Sequence, residues 1–304
     1  MIQHLDDLLQ IAGKTKKMKL AVAAAQDEDV LKAVSEAAKM KIVEPLLFGN
    51  VSEIREIADR IGMDLSSAEL IQCEDFQEAA AGAVHAVSSG KADFLMKGLT
   101  DTSVLLKAVL KKEAGLRTNR LLSHVMVYSP QAYHKLLLLT DGGMNITPDL
   151  QDKKEILMNA LEVARALGIV PVKVACLAAK EKVDDKMEAT IDAAKLAEAQ
   201  TRGIYGENVI VDGPMAFDLA VSKEACKIKK FESPVAGDAD ILLVPNIEMG
   251  NGIGKAMTYM AQAASAGIIM GARVPIVLVS RADEFKTKLY SIALGSMIAM
   301  NKQT

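Results

Sequence analysis

The sequence predicts an α/β protein built of two related halves. Short apolar runs rich in β-branched residues alternate with longer segments of helical period along the chain, the pattern of a largely parallel sheet covered by helices. The second half repeats the grammar of the first. A length of 304 residues gives each half room for its own core.

The elements follow in order. "KLAVAAAQ" reads as a buried strand, and "DEDVLKAVSEAAKM" as the amphipathic helix after it. "VEPLLFG" is a strand, "VSEIREIADRIG" a helix, "AELIQCE" a strand, and the stretch through "EAAAGAVHAVSSG" a helix. "ADFLMKG" is a strand whose carboxyl end runs into Gly98, and "TSVLLKAVLKK" the next helix. Later, "VKVACLAAKEKVDDKMEATIDAAKLAEA" has the strand, polar turn and helix of the opening segment. "DADILLVPNIEMGNGIGKAM" parallels "KADFLMKGLTDTSVLLKAV", with Ala-Asp pairs at 92/93 and 239/240 in the same place. The loops after these paired strands are where open α/β sheets bind ligands.

Composition narrows the function classes. Half the residues are apolar, a quarter are charged and the formal charge is −3, so the chain lacks the basic footprint of a nucleic-acid binder. No apolar run reaches membrane-spanning length, and the first residues, with Asp6 and Asp7 in an amphipathic pattern, are unlike a secretory signal. Three widely spaced cysteines, Cys73, Cys176 and Cys226, fit neither a disulfide framework nor a metal site. The expectation is a cytoplasmic protein with buried, structural cysteines. His85 and His134 read as packing or exposed residues, while His124 beside Ser123 is left open.

The stretch "EMGNGIGKAM", Glu248 to Met257, invites a phosphate-binding reading. It is not a Walker motif: Gly250 to Gly254 is one residue too short, and Ala256 stands where a magnesium-binding hydroxyl belongs. The dinucleotide fingerprint fails on its last spacing. What remains is small residues after a strand, a helix N-terminus and Lys255, a general anion-binding pattern whose alternative is a tight turn. "VPIVLVSRADEF" ends another strand in Ser280, Arg281 and Asp283. Arg suits bidentate phosphate recognition, a serine hydroxyl can donate to an oxyanion and a carboxylate can accept a proton, while Asp283 as a helix cap is the plain alternative. The turns "VDGPMAFD" and "TDGGMNITPD" add Asp212, Asp141 and Asn145, each alone only a loop.

Taken together, "ADFLMKGLTDTSVLLKAVL", "LLSHVMVYSPQAYHKLLLLTDGGMNITPDLQDK", "VDGPMAFDLAVSKEA", "SPVAGDADILLVPNIEMGNGIGKA" and "VPIVLVSRADEFKTKLYSIAL" resemble the phosphate acetyl- and butyryltransferase family, with the butyryl branch nearest. The resemblance runs over essentially the whole chain. It implies two α/β domains of three α/β/α layers, as in isocitrate and isopropylmalate dehydrogenases, with an interdomain cleft. The division is expected at residues 1–134 with 285–304 for the first domain and 135–284 for the second.

The implied reaction interconverts acyl-CoA plus inorganic phosphate with acyl phosphate plus CoA. No tightly bound cofactor or metal is expected; coenzyme A is a substrate, and the chain is expected to form a homo-oligomer. The resemblance implies Ser280, Arg281 and Asp283 as catalytic, with Arg281 on the phosphate and Ser280 on the CoA sulfur or the oxyanion. It implies Lys97, Gly98, Thr102, Ser123, Asn145, Asn246, Gly250, Asn251 and Lys255 as substrate-binding. In one respect the chain departs from the acetyl branch, whose carboxylate about seven residues beyond the serine corresponds to Thr287 here. Asp283 is therefore the candidate base. Two other readings stand beside this one: a metal- and NAD-dependent hydroxyacid dehydrogenase of the same fold, and a non-catalytic CoA-binding protein.

Overall fold

In a computed structural model, residues 2–112, 115–280 and 283–303 are described. In chain order the elements begin with α1 (Leu5–Ala12), β1 (Met18–Ala23), α2 (Glu28–Lys39), β2 (Val43–Gly49), α3 (Val51–Ile61), β3 (Glu69–Gln72), α4 (Phe76–Ser88), β4 (Phe94–Lys97) and α5 (Thr102–Val109). They continue with β5 (Ser123–Ser129), β6 (Leu137–Thr140), α6 (Leu150–Ala166), β7 (Val172–Leu177), α7 (Glu188–Gln200), β8 (Val209–Met215), α8 (Phe217–Val221) and α9 (Lys223–Lys229). The last are β9 (Ile241–Leu243), α10 (Ile247–Tyr259), β10 (Ala264–Met270), β11 (Ile276–Val277) and α11 (Phe285–Asn301). The strand and helix alternation expected of an α/β fold is present, in mixed sheets.

Two compact units emerge, one of residues 5–120 with 265–304 and one of residues 121–264 with the first four residues. In the former, the strand order is β3-β2-β1-β4-β11-β10, parallel except for the β10–β11 hairpin. Every residue of β4 is buried, as expected where helices cover both faces of a parallel strand. α11 packs on α1 and α2, and α4 packs on α5. Side-chain caps from Asp27, Asn50 and Asp75 satisfy the first N–H groups of α2, α3 and α4, each worth about 1 kcal/mol.

In the other unit, the order is β5-β6-β9-β7-β8, with β5 and β6 antiparallel and the rest parallel. Its core gathers Leu137, Leu139, Leu177, Met215, Leu219, Leu242 and Met257 between the strands and the helices α8 to α10. The 17-residue helix α6 starts with a reciprocal capping box between Asp149 and Asp152.

The repeat suggested by the Ala-Asp pairs is real in atomic detail. The Asp93 carboxylate accepts the Lys19 backbone N–H at 2.6 Å, and the Asp93 N–H donates to the Lys19 carbonyl. Asp240 and Lys173 exchange the same two bonds at 2.8 and 2.7 Å. Each aspartate thus pins the start of its strand to a parallel neighbour, β4 to β1 and β9 to β7.

Candidate active site

In the unit built from 5–120 and 265–304, β11 ends two residues before Val279, and Ser280 follows at the surface. The Ser280 backbone N–H donates to Asp283 Oδ2 at 2.8 Å, and the Asp283 N–H donates to the Ser280 carbonyl at 3.1 Å. Those two bonds tie Asp283 to Ser280. Arg281 lies outside the described residues. The N-cap of α11 is Glu284, so Asp283 does not cap that helix; it binds the Ser280 N–H instead, with Oδ1 making no hydrogen bond among the described residues. Buried Lys288 reaches back from α11 to donate to the Asp283 carbonyl.

The loop after β4 is set more tightly. Lys97 is only 7 % exposed, and its Nζ donates to the carbonyls of Gly98 and Thr100 at 3.0 and 3.1 Å. Its ammonium shapes its own loop. Gly98 is demanded by sterics, since a Cβ there would stand 2.1 Å from the Ala24 carbonyl oxygen. Thr102 opens α5 and is exposed. The Thr100 hydroxyl is fully buried without a hydrogen-bond partner among the described residues, an uncommon state for a native group.

The unit of residues 121–264 holds the other candidates. The expected glycine loop is not a loop: Asn246 caps α10 through the Met249 N–H at 3.0 Å, and Gly250, Gly252 and Gly254 lie inside the helix. Three helical glycines cost about 1 kcal/mol each relative to alanine, so tertiary contact has to select two of them. A Cβ at Gly250 would lie 2.6 Å from the Gly142 Cα, and one at Gly254 would lie 2.8 Å from the Tyr128 hydroxyl. Gly252 meets nothing. Backbone proximity, which the sequence cannot display, is what these residues provide.

Around α10 the candidates take different stations. Asn251 and Lys255 are exposed, and the Lys255 ammonium stands 5.7 Å from the centre of the Tyr259 ring. Asn251 Nδ2 reaches the Gly142 carbonyl at 3.4 Å. Ser123 is fully buried, its hydroxyl accepting from Asn159 Nδ2 at 2.8 Å. Asn145 gives its amide hydrogens to the Leu122 carbonyl and to Asp141.

Asp141 reads from the sequence as a loop residue. It is 2 % exposed and accepts from His124, Gly143, Met144 and Asn145 backbone N–H groups as well as the Asn145 amide. The D-G-G run was the available signal, because a carboxylate before flexible residues can bond the N–H groups that follow it.

The cysteines are buried and free. Burial pushes the Cys176 thiol up to about 12, with Asp212 adding to the shift, and burial likewise raises Cys73 and Cys226. All three are protonated at neutral pH and poor nucleophiles. Among the described residues, no three His, Cys, Asp or Glu side chains group as a metal site, and no helix is long and apolar enough to cross a membrane.

The pattern described as "Phosphate acetyl/butaryl transferase" matches residues 4–82 and 74–296. The chain belongs to the phosphate acetyl/butyryl transferase family. Membership makes it an enzyme of the acyltransferase class. A phosphate butyryltransferase of Clostridium acetobutylicum is 44 % identical to this family member, over 99 % of the chain and 100 % of that protein. The crystal structure of a branched-chain phosphotransacylase from Enterococcus faecalis V583 superposes with a TM-score of 0.81 at 32 % identity, covering 93 % of this chain and 99 % of that one. A 4-hydroxythreonine-4-phosphate dehydrogenase from Burkholderia phymatum shares the fold alone, with a TM-score of 0.57 at 13 % identity over 93 % of this transferase and 99 % of that chain. The likeness to dehydrogenases is thus one of architecture, and the family match sets the dehydrogenase reading aside.

Proposed function

We propose that this chain transfers a short acyl group, butyryl foremost, reversibly between coenzyme A and inorganic phosphate by direct attack in a ternary complex. The observation that carries this is the 44 % identity to a phosphate butyryltransferase along its full length. A phosphate oxygen attacks the thioester carbonyl carbon, the tetrahedral intermediate collapses, the C–S bond breaks and CoA leaves as the thiolate. In the other direction the thiolate attacks the acyl phosphate and phosphate departs. Arg281 grips the phosphate, Ser280 donates to the oxyanion or the CoA sulfur, and Asp283 exchanges the proton with the thiol. A thiol whose ordinary pKa is about 8.5 needs little help to ionise near neutrality. The paired Ser280–Asp283 hydrogen bonds support this assignment, since they hold a carboxylate beside the serine without committing it to a helix cap.

Lys97, Gly98, Thr102, Ser123, Asn145, Asn246, Gly250, Asn251 and Lys255 form the substrate-binding set in this reading. Lys97, Gly98, Gly250 and the Asn145 amide serve by shaping backbone, and exposed Thr102, Asn251 and Lys255 serve by contact. The reading also takes a cytoplasmic homo-oligomer of chains with two α/β domains, expected at 1–134 with 285–304 and at 135–284, although the compact units place 121–134 with the latter and 265–284 with the former. Butyryl and acetyl differ by two methylenes, each worth about 0.8 kcal/mol when buried, so a fitted pocket discriminates by roughly tenfold.

The test is release of free CoA thiol from butyryl-CoA and acetyl-CoA, with and without inorganic phosphate. Phosphate-dependent release, faster with butyryl-CoA, is expected. No phosphate-dependent release from either thioester would overturn the proposal.

A further inference from the structure

We infer that Asp141 is a positioning residue: its buried carboxylate gathers the loop after β6 and thereby sets the first turns of α10 for binding substrate. The inference rests on the proposed function in one respect, that α10 carries substrate-binding residues.

Five N–H donors converge on this carboxylate. Oδ1 accepts from the backbone of Gly143 and Met144 at 2.8 and 3.0 Å; Oδ2 accepts from His124 N, Asn145 N and Asn145 Nδ2 at 3.2, 3.3 and 2.7 Å. Among the described residues no Lys, Arg or His pairs with it. A buried negative charge without a cation is tolerable only where oriented backbone dipoles replace water, and that requirement fixes the course of residues 142–145.

The loop so fixed is fastened to α10. The Ile247 N–H donates to the Ile146 carbonyl at 3.1 Å, and the Val244 N–H donates to the Thr140 carbonyl at 2.9 Å. Gly142 and Gly250 touch so closely that a Cβ on either would stand 2.6 to 2.7 Å from the backbone of the other. Asn251 bonds the Gly142 carbonyl. The chain of contact therefore runs from the Asp141 carboxylate through Gly142 to Gly250 and Asn251, one turn before Lys255. A shift of the loop has to move the helix face.

Asp141→Asn keeps the shape and turns donors onto donors, because an amide offers one acceptor oxygen where the carboxylate offers two. Gly142→Ala moves the same contact without touching the carboxylate. For each, KM and kcat are measured by phosphate-dependent thiol release, and Kd for CoA and for inorganic phosphate by calorimetry, with folding checked by circular dichroism and melting temperature. Both variants are expected to raise the KM of at least one substrate about tenfold or more, with the matching Kd, while kcat stays within about threefold. Asp192→Asn is the structural control: it breaks a buried pair with Lys153 in the same unit and is expected to lower the melting temperature with KM unchanged. Unchanged KM and Kd in folded Asp141→Asn would overturn the inference; if that variant does not fold, unchanged values in Gly142→Ala overturn it. Were the wild type to bind CoA or phosphate without releasing thiol, the proposed function would fall and the variants' Kd values would still decide this one. A wild type that binds neither would sink both.

Discussion

The two repeats start alike and end differently. In both, an aspartate clamps its strand to a lysine backbone on the neighbouring parallel strand, Asp93 to Lys19 and Asp240 to Lys173. At the end of β4, Lys97 is buried and its ammonium donates to the carbonyls of Gly98 and Thr100. After β9, an asparagine caps a helix whose lysine, Lys255, is exposed. One repeat uses positive charge to hold a loop; the other leaves it exposed beside the Tyr259 ring. The same scaffold delivers a helix N-terminus to the carboxyl end of a strand in both, and the residues around the strand end decide whether its lysine is buried or exposed. Neither repeat contains the hydrogen-bonded Ser280–Asp283 pair, which follows β11.

The largest expected effect lies outside both repeats. Arg281→Ala is expected to lower phosphate-dependent turnover by about 10²- to 10³-fold, the usual cost of removing one donor to a developing charge, measured as initial rate at saturating butyryl-CoA. A fall of less than about threefold would move the phosphate grip into the repeats and dissolve the contrast. Next comes Lys97→Met, which leaves two carbonyls without their charged donor and is expected to destabilise by about 2–3 kcal/mol, read from the urea midpoint. If it changes KM alone, both lysines play the same part. Lys255→Ala is expected to do the reverse, raising KM for phosphate or acyl-CoA about tenfold, roughly 1.4 kcal/mol, with no change in midpoint.

The smallest effect sharpens the comparison at the start of the strands. Lys91, before Asp93, makes an exposed ion pair with Glu69, whereas Asp238, in the equivalent place before Asp240, is surrounded by Lys173, Lys135 and His134. Burial works against ionisation of Asp238, but hydrogen bonds from Lys173, His134 and Lys135 prevail and hold its carboxyl well below the usual range. A depressed folded-state pKa gives stability that is present above the unfolded value, about 3.9, and is lost as pH falls toward the folded one. The urea midpoint of Asp238→Asn should therefore lie below wild type at pH 7, with the gap narrowing below about pH 4. A gap that is constant with pH would mean that shape, and not charge, sets the contribution of this cluster.

Much of the fold was legible because period and turn signals coincide. The helices read from their period are present, α2, α3 and α4 with side-chain caps from Asp27, Asn50 and Asp75, and the Ala-Asp pairs pointed to a repeat that the backbone clamps make explicit. α10 was the failure. Glycine has poor helical propensity, so Gly250, Gly252 and Gly254 argued for a loop; the neighbour that makes Gly250 necessary, Gly142, lies over a hundred residues earlier in the chain. Asp141 was hidden for the same reason, since His124 reaches it only through β5 and β6 pairing. Around Ser280 the residue types were readable, and the question of whether Asp283 caps α11 was not; a two-residue strand and the hydrogen bond to Ser280 N answer it.

Initial rates over a matrix of butyryl-CoA and phosphate concentrations test the central claim, direct transfer between two bound substrates, most directly. Double-reciprocal lines that intersect are the predicted result, because both substrates must be present before any product leaves. Parallel lines, the kinetic fingerprint of a covalent acyl-enzyme, would contradict direct transfer and require a nucleophile that the three buried, protonated cysteines do not supply.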